Sequence, residues 1–513
     1  IRWGGYRVRY LENKGEILSY IAFTKANNRI IKNCEKNDYY TIFLWTYPEY
    51  RGKGLATKMS ESMLNDLTLN YKNFYKTISK DNLSSIRVAE KCGFSIKSEC
   101  IKSKFFTQFI KLTTANNTYT YIVTTKTRNV LYIAIERIKM KILYVTTIGS
   151  TMDFFKAFIK QLLDDGHTVD IATNEKDRKA SDCYRYWHCK IYHIDTSRSP
   201  FNTGNIKAVR QIRDIVRENG YDIVHCHTPI ASICTRLACR KARKHGTKVI
   251  YTAHGFHFYK GAPLKNWLLF YPAEKLCAHF TDTLITINQE DYNLARKKMK
   301  AKSVEYVPGV GVDTSKFANV EIDRDKKRQE LDIPVDKKLL ISIGELNENK
   351  NHETVIRALQ DIKDVCYTVI GKGDKQQMLE KLIDDLDMSD RVFLLGYRQD
   401  IGELLKMSDL FVFPSYREGL SVSVMEAMSS GLPVVCSDIR GNCDLIDENG
   451  GVLFDPHSVD DCKNAIVKAL NRNMIDMGKY NQTRVGNFSC EKVHNKMEQM
   501  YLQYKTTVAE DKI

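Results

Sequence analysis

The chain has 513 residues, of which 43% are hydrophobic and 27% charged, with a formal net charge of +16. That length suits about three domains, and the composition excludes a disordered or fibrous chain. No run of about 18 uncharged apolar residues occurs, which argues against a membrane-spanning helix, and no secretory signal opens the sequence. The surplus of cations favours anionic partners such as phosphorylated small molecules or an acidic membrane face, and no nucleic-acid motif accompanies it. The 14 cysteines are scattered without C-x-x-C or zinc spacing, so a reducing, cytoplasmic setting without a bound metal is expected.

In chain order, residues 1–110 read as short strands, a helix from Leu55 to Leu67, the strand NFYKTIS and the helix SSIRVAEKC. Residues 111–139 are rich in β-formers but show no clean alternation and no caps, so they read as a linker. A new pattern starts at Met140. MKILYVTTIGS is an apolar strand running into a Gly turn, DFFKAFIKQLLDDG is an amphipathic helix, and HTVDIAT is the next strand. The alternation continues to DTLITIN, lapses near 313–337, and restarts at LLISIGE. This predicts an α/β chain with two tandem parallel-sheet, Rossmann-like domains, 140–312 and 313–490, a helix over 491–513, and a ligand-binding cleft at the carboxyl ends of the strands.

The stretch YREGLSVSVMEAMSSG carries the most chemistry. It follows the buried strand DLFVFPS, so Glu418 stands in the turn at the cleft and Glu426 about two turns into the following helix. The amides of Gly419, Leu420 and Ser421 open that helix and suit a diphosphate. Two carboxylates beside an anion site suit a ligand that also carries hydroxyls, which describes a nucleotide sugar. A plain helix-surface role for Glu426 competes with this, but its neighbours Val424, Met425 and Ala427 are apolar.

On these residues, 140–513 resembles the retaining glycosyltransferases of the GT-B fold, family 4, of the bacterial capsule and exopolysaccharide type. The E-x7-E pair matches the family signature, and the resemblance implies that Glu418 contacts donor-sugar hydroxyls and Glu426 the ribose. In GELNENKNHE, Lys350 matches the second cation of a diphosphate clamp, whereas Glu345 stands where the family usually has Arg. Gly149, in TTIGS, falls in the loop that closes over the reaction centre. A glycine there also lets backbone approach a ligand closely. His254, in TAHGFHFYKG, matches the histidine near the bond being broken and is favoured over His257. No D-x-D motif stands at a strand end, so a metal-independent, front-face transfer is expected. The implied acceptor is a lipid-linked glycan. The basic runs at 236–248 and 295–302 and the aromatic stretch 256–271 are candidates for peripheral contact with the inner face of an anionic membrane.

In the first region, Arg51, Gly52, Lys53, Gly54 and Ala56 form a turn at a helix start whose amides suit a pyrophosphate. With Asn82 in DNLSSIRVAEKCGF, this resembles the Gcn5-related N-acetyltransferases and implies acetyl-CoA as cofactor, with Asn82 on its arm. Ala89 replaces the usual Tyr general acid, and the family's amino-terminal helices are missing, so 1–110 reads as a small, incomplete acetyltransferase-like domain. Met140 looks like a natural start, which suggests two neighbouring genes read as one. The competing readings are N-acetyl transfer as the main activity, a non-catalytic nucleotide-sugar-binding protein and a GT-B-fold epimerase.

Overall fold

The computed structural model describes residues 139–504 apart from Asp177, the backbone of nine strands between Arg2 and Glu136, and the backbone of the last helix to Glu510. The chain divides into two compact units, one of 1–140 with 163–168 and 495–513, the other of 141–162 with 169–494.

The first unit holds strands β1 (Arg2–Trp3), β2 (Tyr6–Asn13), β3 (Glu16–Lys25), β4 (Tyr39–Thr46), β5 (Asn73–Ser79), β6 (Cys100–Lys102), β7 (Phe105–Thr113), β8 (Thr118–Lys126) and β9 (Arg128–Glu136). They form one sheet in the order β1-β2-β3-β4-β5-β9-β8-β7-β6. The stretch expected as a linker, 111–139, instead holds β8, β9 and the end of β7. Strand β9 pairs antiparallel with β5, Asn73 opposite Glu136. Runs such as TYTYIVTTK pair on both edges, so hydrogen bonding and β-branched content mark them where alternation does not. The acetyl-CoA candidates Arg51, Gly52, Lys53, Gly54, Ala56 and Asn82 lie outside the described residues.

The second unit contains two parallel sheets. The amino-terminal half has β10 (Lys141–Val145), β11 (Thr168–Thr173), β12 (Ile191–His193), β13 (Ile223–His227), β14 (Lys248–Ala253), β15 (Thr283–Thr286) and β16 (Ser303–Tyr306), in the order β12-β11-β10-β13-β14-β15-β16. The carboxyl-terminal half has β17 (Lys338–Ile343), β18 (Val365–Ile370), β19 (Val392–Gly396), β20 (Leu410–Phe413), β21 (Val434–Ser437) and β22 (Gly451–Phe454), in the order β19-β18-β17-β20-β21-β22. Both are doubly wound sheets whose strand order reverses at one point, between β10 and β13 and between β17 and β20. Such switch points open a crevice at the strand ends. Most central strands are buried on both faces, Leu410 to Phe413 throughout, as uninterrupted apolar runs require.

Among the helices, α1 (Gly204–Asn219), α2 (Pro229–Ala238), α3 (Leu264–Ala278) and α4 (Gln289–Lys298) belong to the amino-terminal half. The basic run 236–248 is only partly a surface. Arg236 is fully buried, 2.8 Å from Glu274 and stacked on the Tyr251 ring, and Arg243 pairs with Asp282 at 2.8 Å. Sequence spacing did not separate these structural arginines from the exposed Arg240, Lys241 and Lys244.

Candidate functional site at the strand ends

The loop leaving β17 folds back so that Lys350 returns to Gly344 at the strand end. Asn347 accepts the Lys350 amide at 3.0 Å, and Asn351 adopts φ 52°, which folds the segment tightly. The Lys350 stem therefore lies against Gly344, where a Cβ would meet it at 3.2 Å. Its ammonium sits 4.6 Å from the Phe413 ring centre and 2.7 Å from Glu418 Oε1. Beyond β20, Arg417, Glu418 and Gly419 lead to α6 (Val422–Ser429), which packs against α5 (Thr314–Ala318) and starts where the Ser421 hydroxyl accepts the Val424 amide at 3.3 Å. From the other half, β14 delivers His254, Gly255, Phe256 and His257. These loops enclose a cavity of about 370 Å³ lined also by Glu345, Asn347, Asn349 and Arg440.

The two halves meet here backbone to backbone. A Cβ on Gly419 would stand 2.1 Å from the His254 carbonyl oxygen, and Gly255, at φ 120°, faces Gly419 Cα at 3.2 Å from its own would-be Cβ. Arg440 crosses the junction. It donates to Asp291 Oδ1 at 2.6 Å, to the Phe256 carbonyl at 2.6 Å and to the Glu418 carbonyl at 3.2 Å. Its guanidinium covers the Tyr259 ring at 4.4 Å. Asp291, on α4, is fully buried and also accepts the Phe256 amide at 2.9 Å.

Behind His254 stand two more imidazoles. His227 Nδ1 lies 3.1 Å from His254 Nε2, and His225 Nε2 lies 2.8 Å from the Thr252 hydroxyl. Tyr144 stacks on His227. Burial lowers His254 to about 4, His225 to about 3 and His227 well below its ordinary value, with the neighbouring histidines adding to the shift of the last two. His257 falls to about 4, mainly by burial and then by the charges of Arg417 and Arg440.

The structure thus brings His254, Lys350, Glu418 and Gly419 to one cavity. Leu420 is buried in the apolar core, and the Ser421 side chain caps the helix. Glu426 is half-buried on α6 and does not line this cavity. Gly149 does not line it either. Its amide donates to the Asn174 carbonyl at 3.0 Å, and a Cβ there would meet the Ala180 amide nitrogen at 2.3 Å. Local backbone packing therefore accounts for a glycine at this position. Sequence reasoning missed Arg417 and Arg440. Arg417 brings a second cation to the lining that holds Lys350, while Glu345 contributes a carboxylate held by the Asn347 amide at 3.1 Å. The signal lay in the quoted stretch, one residue before Glu418.

Burial raises the Glu426 carboxyl from 4.5 to about 7, opposed weakly by Lys316 of α5. A raised carboxyl binds its proton more tightly in the folded chain, so stability is full below about pH 4.5 and falls as pH rises toward 7. The loss reaches up to about 3 kcal/mol above pH 7. Glu426→Gln is therefore expected to raise Tm by several degrees at pH 8 and little at pH 5. Equal shifts at both pH values would remove this account.

Three family models match the chain. Residues 323–484 match glycosyl transferases group 1, residues 141–288 match glycosyl transferase 4-like, and residues 2–94 match the acetyltransferase (GNAT) family. EpsD of Bacillus subtilis (strain 168), a protein assigned as a glycosyltransferase, is 38% identical over 326 residues, covering 61% of this chain and 83% of its own. The Escherichia coli UDP-Gal:alpha-D-GlcNAc-diphosphoundecaprenol alpha-1,3-galactosyltransferase is 29% identical over 311 residues, 58% of this chain and 79% of its own. Among solved structures, Anabaena HepE with UDP and glucose superposes with a TM-score of 0.59 at 20% identity, covering 70% of this chain and 99% of its own, which shows the shared GT-B fold. The chain is a glycosyltransferase of group 1, with a GNAT-family domain at its amino terminus.

Proposed function

We propose that this enzyme moves a sugar from a nucleoside-diphosphate sugar to a hydroxyl of a lipid-linked glycan in exopolysaccharide or capsule synthesis, with retention and without a metal. The observation that carries the reading is the meeting of Lys350, Arg417, Glu418 and His254 in one cavity at the ends of two parallel sheets. Cations and helix-start amides aimed at a departing diphosphate stabilise the charge that develops on it. Glu418, held in place by Lys350, accepts hydroxyls of the donor sugar. His254 stands near the bond being broken, and Glu426 is assigned to the ribose. Gly149 belongs to the loop that closes over the reaction centre, on the donor side. Acetyl-CoA is the cofactor proposed for 1–110, on the strength of the GNAT match.

The lipid-linked acceptor is supported by the Escherichia coli relative, whose name includes diphosphoundecaprenol. Helix α3 adds a surface suited to peripheral contact with an anionic membrane. Leu264 and Leu268 are 73% and 71% exposed on it, with Lys265 between them. No helix among the described residues is long and apolar enough to cross a membrane.

The test is nucleotide release by the full chain from a panel of nucleotide sugars with lipid-linked acceptors, with and without a chelator. Release with one donor, unchanged by the chelator and lowered at least about a hundredfold by Glu418→Ala, is expected. Release that Glu418→Ala leaves untouched would overturn the assignment of this cavity.

A further inference from the structure

A second cavity, of about 550 Å³, opens in the amino-terminal half. Its volume falls within the range of small-molecule sites. It lies past the carboxyl ends of β11 and β12, where Gly204 starts α1, and it shares no lining residue with the cavity at Glu418. Four cations line it, Lys176, Arg178, Arg198 and Lys207, with the single carboxylate of Asp195.

Asp195 acts as an anchor for the lysines. Its oxygens lie 2.7 Å from Lys207 and 2.9 Å from Lys176, and His193 Nε2 stands 3.2 Å away. The Lys207 hydrogen bond, then that of Lys176, holds the Asp195 carboxyl well below the usual carboxylate range. Gln211, on α1, ties the same residue down, accepting its amide at 2.8 Å and donating to its carboxylate at 3.2 Å. Arg178 and Arg198 are exposed and pair with no carboxylate among the described residues. The lining therefore keeps three positive charges in excess, and two of them are guanidinium forks free to bind a planar pair of phosphate oxygens. The amino end of α1, a helix of 16 residues, adds partial positive charge at Gly204.

We infer that this cavity binds the diphosphate of the acceptor. The enzyme then holds two diphosphates at once, the donor's between the halves at Lys350 and Arg417, and the acceptor's within the amino-terminal half. The inference rests on the lipid-linked acceptor proposed above. One diphosphate chemistry has two sources, a lipid diphosphate or a soluble one, and the experiment separates them.

The full chain and its Arg178→Ala/Arg198→Ala variant are compared in three assays. With a lipid diphosphate sugar as acceptor, the variant is expected to raise the acceptor KM at least roughly tenfold and to leave the donor KM and donor hydrolysis unchanged. With an alkyl glycoside acceptor lacking phosphate, the two proteins should behave alike, and Arg178→Lys/Arg198→Lys should recover part of the loss. An unchanged KM for the lipid diphosphate overturns the inference without touching the transfer itself. If no lipid diphosphate serves the unaltered chain, inorganic pyrophosphate is titrated with the donor cavity saturated by nucleotide. Binding weakened by the variant then keeps the diphosphate site and overturns its lipid source, and equal binding overturns the site.

Discussion

Replacing Gly419 with alanine is expected to cut kcat/KM by about a hundredfold while leaving both sheets folded. The added Cβ would stand 2.1 Å from the His254 carbonyl oxygen and 3.1 Å from the Ile287 side chain. Neither the Gly419 backbone nor the His254 carbonyl is the free end of a flexible side chain, so the strain has to be relieved by moving one half against the other. A displacement of about 1 Å at the reacting groups is enough for a loss of that size. Gly486→Ala is the control, because a Cβ there meets nothing within 4 Å. The expected result is a Gly419 variant with near-normal Tm and far-UV dichroism but weak turnover, beside a Gly486 variant normal in both. Full activity in the Gly419 variant would show that the halves need not touch here.

Arg440→Ala is expected to cost about 3–5 kcal/mol, because it leaves the carboxylate of Asp291 buried without its counter-charge. Asp291 is fully buried and Arg440 nearly so, so solvent does little to soften the loss. Two backbone carbonyls, those of Phe256 and Glu418, lose a donor in the same substitution. Thermal unfolding should report a drop of roughly ten degrees. Adding Asp291→Asn should restore part of it, since a neutral amide costs less to bury than an unpaired charge. Strictly additive losses in that double-mutant cycle would mean that the two side chains do not act as a pair.

The sheets from Met140 onward were legible because buried parallel strands read as short apolar runs separated by amphipathic helices. Glu418 and His254 follow strand ends closely in sequence and Lys350 stood out by resemblance, and the structure lines one cavity with all three. Arg440 and Asp291 were not legible, since their contact spans 149 residues and depends on how two sheets face each other. His227 stacks on Tyr144, and its hydrogen bond to His254 depends on β13 and β14 lying side by side, which sequence alone does not place. Gly149 shows a different limit. A strand-end glycine signals close approach, but sequence does not tell whether a ligand or the chain's own backbone approaches it. The strands in 111–139 went unread because their composition carried no alternation to assign faces.

His254 at the cavity and the two imidazoles behind it restrict where a proton can travel. Burial keeps His254 near 4, His225 near 3 and His227 lower than its ordinary value, so none is a strong base at neutral pH. One nitrogen of His254 is already engaged with His227, and Glu418 is engaged with Lys350. In the proposed transfer, the acceptor hydroxyl must shed its proton as its oxygen bonds to the sugar. In that proposal the oxygen of the departing phosphate is itself a base that stands beside the acceptor. If that oxygen collects the proton, incoming and outgoing oxygens sit on the same face of the ring, and the anomeric configuration survives because both partners share one side.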